Sequence, residues 1–80
     1  MKMKIKIYLT SYCTYCHLAK EFFDKHKIEY EEVNVAEDDS AFEEMKKKSH
    51  QIGVPVIEID NEVFVGFNRS EISRVLGLSH

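Results

Sequence analysis

The apolar periodicity of the chain changes abruptly between Leu9 and Cys13. Upstream, in Lys4-Ile5-Lys6-Ile7-Tyr8-Leu9, every second residue (Ile5, Ile7, Leu9) is apolar, the pattern of a strand with one face buried. Downstream, Tyr15, Leu18, Ala19, Phe22 and Phe23 recur at three- and four-residue spacings, as on one side of a helix that opens at Cys13. A polar elbow, Thr10-Ser11-Tyr12, joins the two, and Lys25, His26 and Lys27 supply the positive charge favoured near a helix C-terminus.

The rest of the chain continues this alternation. Tyr30 to Val35 reads as a second strand with Val33 and Val35 on one face. Asp38-Asp39-Ser40 suits a helix start. Phe42, Met45 and Ser49 form one stripe of that helix, and Lys46, Lys47 and Lys48 read as its solvated last turns. Val54 to Ile59 is a nearly continuous apolar run, hence a largely buried strand. Asp60-Asn61 turns the chain, and Glu62 to Val65 returns as a hairpin partner. Asn68 followed by Glu71 has capping-box spacing, and Ile72, Val75 and Leu76 form the buried face of a last helix. The order β-α-β-α-β-β-α gives an α/β fold. Its first connection is a crossover between parallel strands, its last hairpin is antiparallel, and the mixed four-stranded sheet is flanked by three helices. With 80 residues, 44% hydrophobic and 31% charged, the chain has room for one globular domain, spanning 1–80, and its composition is not that of a disordered segment.

Eleven basic against fourteen acidic residues give a net charge of −3, which speaks against a nucleic-acid partner. The longest stretch free of Asp, Glu, Lys and Arg, Ile7 to Ala19, is too short to span a membrane. Lys2, Lys4 and Lys6 alternate with Met3, Ile5 and Ile7, and no apolar run follows as a signal peptide requires. A cytoplasmic monomer with no membrane partner is expected.

The two cysteines, Cys13 and Cys16, are the only pair, whereas a disulfide-stapled secreted domain of this size carries about four to eight. A bridge across so short a loop restrains the unfolded chain little, so the pair points to chemistry rather than scaffolding. Cys13-Thr14-Tyr15-Cys16 falls where the strand ends and the helix begins. The first amides of a helix carry partial positive charge, which favours a thiolate at Cys13. Cys16 lies one turn inside, with Cα atoms roughly 5 Å from those of Cys13, within disulfide range. Cys13 is therefore the expected exposed attacking thiol and Cys16 the resolving one. A structural zinc site needs four ligands, and His17, His26, His50 and His80 show no ligand spacing relative to a second cysteine pair, so no metal site is assigned.

Over nearly its whole length the sequence resembles the glutaredoxins of the thioredoxin-fold superfamily. The resemblance is carried by Cys13-Thr14-Tyr15-Cys16-His17-Leu18-Ala19-Lys20, by Glu43-Glu44-Met45 and Lys48-Ser49, by Val54-Pro55 and by Gly66-Phe67-Asn68. It is equally similar to the glutaredoxin-like redoxins of the NrdH kind, whose Gly-Phe-Arg-type segment is closer to Gly66-Phe67-Asn68-Arg69 than a double glycine is. The resemblance implies a thioredoxin-like fold and a dithiol–disulfide oxidoreductase acting as an electron carrier. It implies a cis Val54-Pro55 bond facing the cysteines, with the Val54 backbone pairing with a substrate cysteine as an added strand.

It also implies a site for glutathione as a co-substrate, with no bound cofactor. Tyr15 flanks the sulfur, Gln51 contributes polarity after the second helix, and the segment Gly66, Phe67, Asn68, Arg69 offers amides and a cation to a carboxylate. Thr10 stands where glutathione-using members carry a basic residue, and Thr14 replaces the usual proline. Three readings follow: reduction by glutathione, reduction by a thioredoxin-reductase-like flavoenzyme, and an iron–sulfur or metal-binding module using Cys13. Disulfide-containing proteins are the implied substrates of the first two.

Overall fold

A computed structural model describes residues 4–77; Lys2, Met3 and His80 of the sequence reading lie outside them. The elements are β1 (Ile5–Leu9), α1 (Thr14–Lys25), β2 (Glu31–Asn34), α2 (Asp39–Ser49), β3 (Val56–Ile59), β4 (Glu62–Val65) and α3 (Arg69–Leu76). The sheet order is β2-β1-β3-β4. β1 runs parallel to β2 and antiparallel to β3, and β3 pairs antiparallel with β4. The fold is the mixed four-stranded sheet with three helices expected of a thioredoxin-like chain.

Helix starts are fixed by side chains that satisfy free amides. The Asp38 carboxylate accepts from the Ala41 N–H at 3.1 Å, and the Asn68 side chain accepts from the Glu71 N–H at 3.1 Å. Only half of the anticipated capping box forms, because the Glu71 carboxylate pairs with Arg74 at 2.8 Å. The expected strand from Val54 begins at Val56 instead: Pro55 has no N–H to give to a ladder.

β1 is buried on both faces. Ile5, Ile7 and Leu9 join Ala19, Phe23, Ile57, Ile59 and Ile72 in the core between the sheet, α1 and α3. On the other face Tyr8 joins Val35, Ala41, Met45 and Val56 beneath α2. In α3, Ile72 and Ser73 are the fully buried residues, while Val75 and Leu76 pack at the margin of the core.

Registry decides where the functional segments meet. Tyr8 opposes Val56, and Val56 opposes Val65. The end of β1, the start of β3 and the end of β4 therefore lie side by side. The elbow before Cys13, the Val54-Pro55 turn and the segment from Gly66 converge at one end of the sheet.

Candidate active site

Cys13 is the N-cap of α1, with extended backbone dihedrals, and its Sγ accepts from the Cys16 N–H at 3.2 Å. The sulfur thus sits at the amide-rich end of the helix, partly exposed. The elbow is tied at both ends. The Cys13 N–H donates to the Thr10 carbonyl at 3.4 Å, and the His17 ring donates from Nε2 to the Ser11 carbonyl at 3.0 Å. Cys16 points inward and is 1% exposed. Its thiol is pushed up to about 12, by burial first and by the Cys13 sulfur second. Both cysteines are free thiols. The two sulfurs therefore occupy different environments: one open to a substrate, one shielded and protonated at neutral pH.

The peptide bond Val54-Pro55 is cis. The Pro55 carbonyl accepts from the Gly66 N–H at 2.8 Å, which ties the turn before β3 to the segment after β4. Gly66 has φ +82°, a conformation in which other residues are strained. Around this tie lies an open cavity of about 520 Å³, walled by Tyr15, Val54, Pro55 and the run from Val65 to Ser70. The structure thus gathers Tyr15, Val54, Pro55, Gly66, Phe67, Asn68 and Arg69 at one site. Tyr15 is 64% exposed, a groove wall rather than a core residue. The Arg69 guanidinium lies over the Phe22 ring, 5.7 Å from its centroid, a cation–π placement.

Gln51 is not brought to this groove. Its side chain folds onto its own loop: Nε2 donates to the Gly53 carbonyl at 3.0 Å, and Oε1 accepts from the Gly53 N–H at 2.6 Å. Val65, which stands where the glutaredoxin resemblance places the first glycine of a Gly-Gly segment, lines the cavity, as does Ser70, which the sequence did not single out. Val65 ends an edge strand, where alternation leaves it exposed.

A family comparison decides what this arrangement belongs to. The glutaredoxin family model matches residues 5–64, from β1 into β4. The chain belongs to the glutaredoxin family. A glutaredoxin-like 8.6 kDa protein of the rubredoxin operon of Clostridium pasteurianum is 46% identical to it over 72 residues, covering 90% of this chain and 96% of that protein. A mutant of a thioredoxin-like protein superposes with a TM-score of 0.89 at 29% identity, covering 95% of this chain and 97% of that one. The Escherichia coli glutaredoxin-like NrdH-redoxin, described as having a thioredoxin-like activity profile, superposes at 0.82 with 26% identity, covering 91% and 95%. Within this glutaredoxin-family chain Thr10 is buried, and it lines a second cavity on the Cys16 side of the pair rather than the groove.

Proposed function

We propose that this glutaredoxin-family chain reduces protein disulfides through a Cys13/Cys16 dithiol and is itself reduced by a thioredoxin-reductase-like flavoenzyme rather than by glutathione. The observation that carries the dithiol chemistry is the pairing of a partly exposed Cys13 at the helix start with a buried Cys16 one turn on. The Cys13 thiolate attacks one substrate sulfur and forms a mixed disulfide, and the other substrate sulfur leaves as a thiolate that takes a proton from solvent. Cys16 then loses its proton and attacks the Cys13 sulfur. The intramolecular disulfide forms, and the second substrate thiol is released. Two electrons pass to the substrate, and no bound cofactor is needed.

The preference for a protein reductant is supported by what lines the groove. Gln51 is engaged by Gly53, and Thr10 faces away. That leaves Arg69 as the one cation among the described residues lining the groove. The exposed apolar side chains of the groove wall, Tyr15 and Val65, offer a protein partner more than they offer an anionic tripeptide. The relation to NrdH-redoxin agrees with this.

The test is NADPH oxidation coupled to reduction of a small protein disulfide, run in two arms. With thioredoxin reductase the chain is expected to turn over at least about tenfold faster than with glutathione and glutathione reductase, a gap of about 1.4 kcal/mol in the barrier. The reverse ratio contradicts the assigned reductant, and silence in both arms contradicts the activity.

A further inference from the structure

We propose that the second cavity, behind the cysteine pair, is an electrostatic cradle for the resolving sulfur, in which Lys20 positions and stabilises the Cys16 thiolate and Glu32 tempers Lys20. This inference rests on the dithiol reading above and concerns its second step.

The cavity measures about 310 Å³ and shares no lining residue with the substrate groove. Thr10, Cys16, His17, Lys20 and Glu32 are among its walls. Lys20 stands four residues after Cys16 in α1, so both side chains lie on the same helical face. The Lys20 ammonium is held by Glu32 of β2 at 2.6 Å, which keeps it at the cavity rather than free in solvent. The Thr10 hydroxyl is buried and has no hydrogen-bond partner among the described residues. A buried donor without an acceptor is costly, and here it borders a cavity that a sulfur anion would make negative. His17 is engaged elsewhere, with its Nε2 on the Ser11 carbonyl. The charged and titratable groups around Cys16 are thus Cys13 and His17 from the elbow and α1, Lys20 from α1 and Glu32 from β2.

The chemistry of resolution makes this arrangement consequential. In the reduced protein Cys13 opposes ionisation of Cys16 through its hydrogen bond and its charge. In the mixed disulfide the Cys13 sulfur is neutral, and that opposition is gone. Burial then stands against the Thr10 backbone N–H and the Lys20 ammonium, both of which favour the Cys16 anion. The Cys16 proton leaves to solvent, and the thiolate attacks Cys13 Sγ. The bond from Cys13 to the substrate sulfur breaks with its electron pair on the leaving thiolate, which is protonated by solvent.

The experiment follows reaction of the reduced chain with Ellman's reagent in stopped flow, where attack by Cys13 and closure by Cys16 each release one nitrothiobenzoate. Lys20→Met is expected to slow the second phase about tenfold below the Cys16 titration and to shift its pH profile upward, with the first phase unchanged; a tenfold change corresponds to about one pK unit. Lys20→Arg should restore the rate. Glu32→Gln should accelerate the second phase several-fold. A second phase insensitive to Lys20→Met overturns the proposal. So does slowing by Glu32→Gln, which would make Glu32 a general base, and so does equal slowing of both phases, which would make Lys20 merely structural. Absence of a second phase in the unaltered chain would instead remove the dithiol reading itself.

Discussion

Gly66 and Arg69 show how single residues shape the groove. At Gly66 an added Cβ meets nothing within 4 Å, so the strain of Gly66→Ala lies in the backbone, where φ is +82°. Such a substitution is expected to cost about 1 kcal/mol in chemical unfolding. It should also loosen the hydrogen bond from Gly66 to Pro55. A larger loss in substrate affinity than in stability would show that the tie holds the groove, and an unchanged midpoint would show that the turn relaxes freely. Arg69 sits in the first turn of α3 against Phe22, with its charge at the groove wall. Arg69→Glu should slow reduction of glutathione disulfide several-fold more than that of a neutral hydroxyethyl disulfide. The difference should fall as salt is raised, since the contact is open to solvent. Equal effects on both disulfides would remove Arg69 from substrate binding.

Among the elements, α2 is docked by a polar cluster that lies across the sheet. The Glu44 carboxylate accepts from the Tyr8 hydroxyl at 2.8 Å, from Lys48 at 3.0 Å and from Lys6 at 3.2 Å. Lys48 also reaches Glu58 of β3 at 3.0 Å. These contacts, that to Lys48 foremost, hold the Glu44 carboxyl down to about 2 from an ordinary 4.5. A depressed carboxyl stabilises the fold above its unfolded value and loses that contribution as pH falls from about 4.5 to about 2. Because the Glu44 side chain is 44% exposed, the contribution is about 1 kcal/mol rather than the full shift. Glu44→Gln should therefore lower stability by about that amount at pH 7, with the difference vanishing in melts near pH 2. A difference constant across that range would contradict the assignment. This cluster was not legible in the sequence. Period-two reading of β1 assigns one face, Ile5, Ile7 and Leu9, and leaves Tyr8 as solvent-facing. Its burial depends on α2, which begins at Asp39, far along the chain. Lys48 likewise reads as a solvated helix end because its partners Tyr8 and Glu58 lie on other strands. What local chemistry fixes was legible: the caps Asp38 and Asn68, the turn at Asp60, and the change of period at Cys13.

At the scale of the whole molecule, the cysteine pair is a local feature, visible as a spacing at a strand-to-helix junction. The groove opposite it is not local. It depends on antiparallel registry that brings Tyr8, Val56 and Val65 into line. Resemblance supplied Tyr15, Val54, Pro55 and Gly66 to Arg69 as its walls. Resemblance could not sort out Gln51, whose side chain finds its own Gly53 backbone two residues away. Nor could it foresee that Thr10 faces the rear of Cys16. Under the proposed function and the proposed cradle, the two sides of the pair have different work: substrate reaches Cys13 from the side of the groove, and Cys16 is served from the cavity it lines with Thr10 and Lys20. The most direct test of this division is intact-mass analysis of Cys16→Ser and Cys13→Ser after brief exposure to a small protein disulfide. Cys16→Ser is expected to accumulate a mixed disulfide at Cys13, and Cys13→Ser to carry none. Adducts of equal yield on both variants, or none on Cys16→Ser while its Cys13 still alkylates with iodoacetamide, would contradict the account.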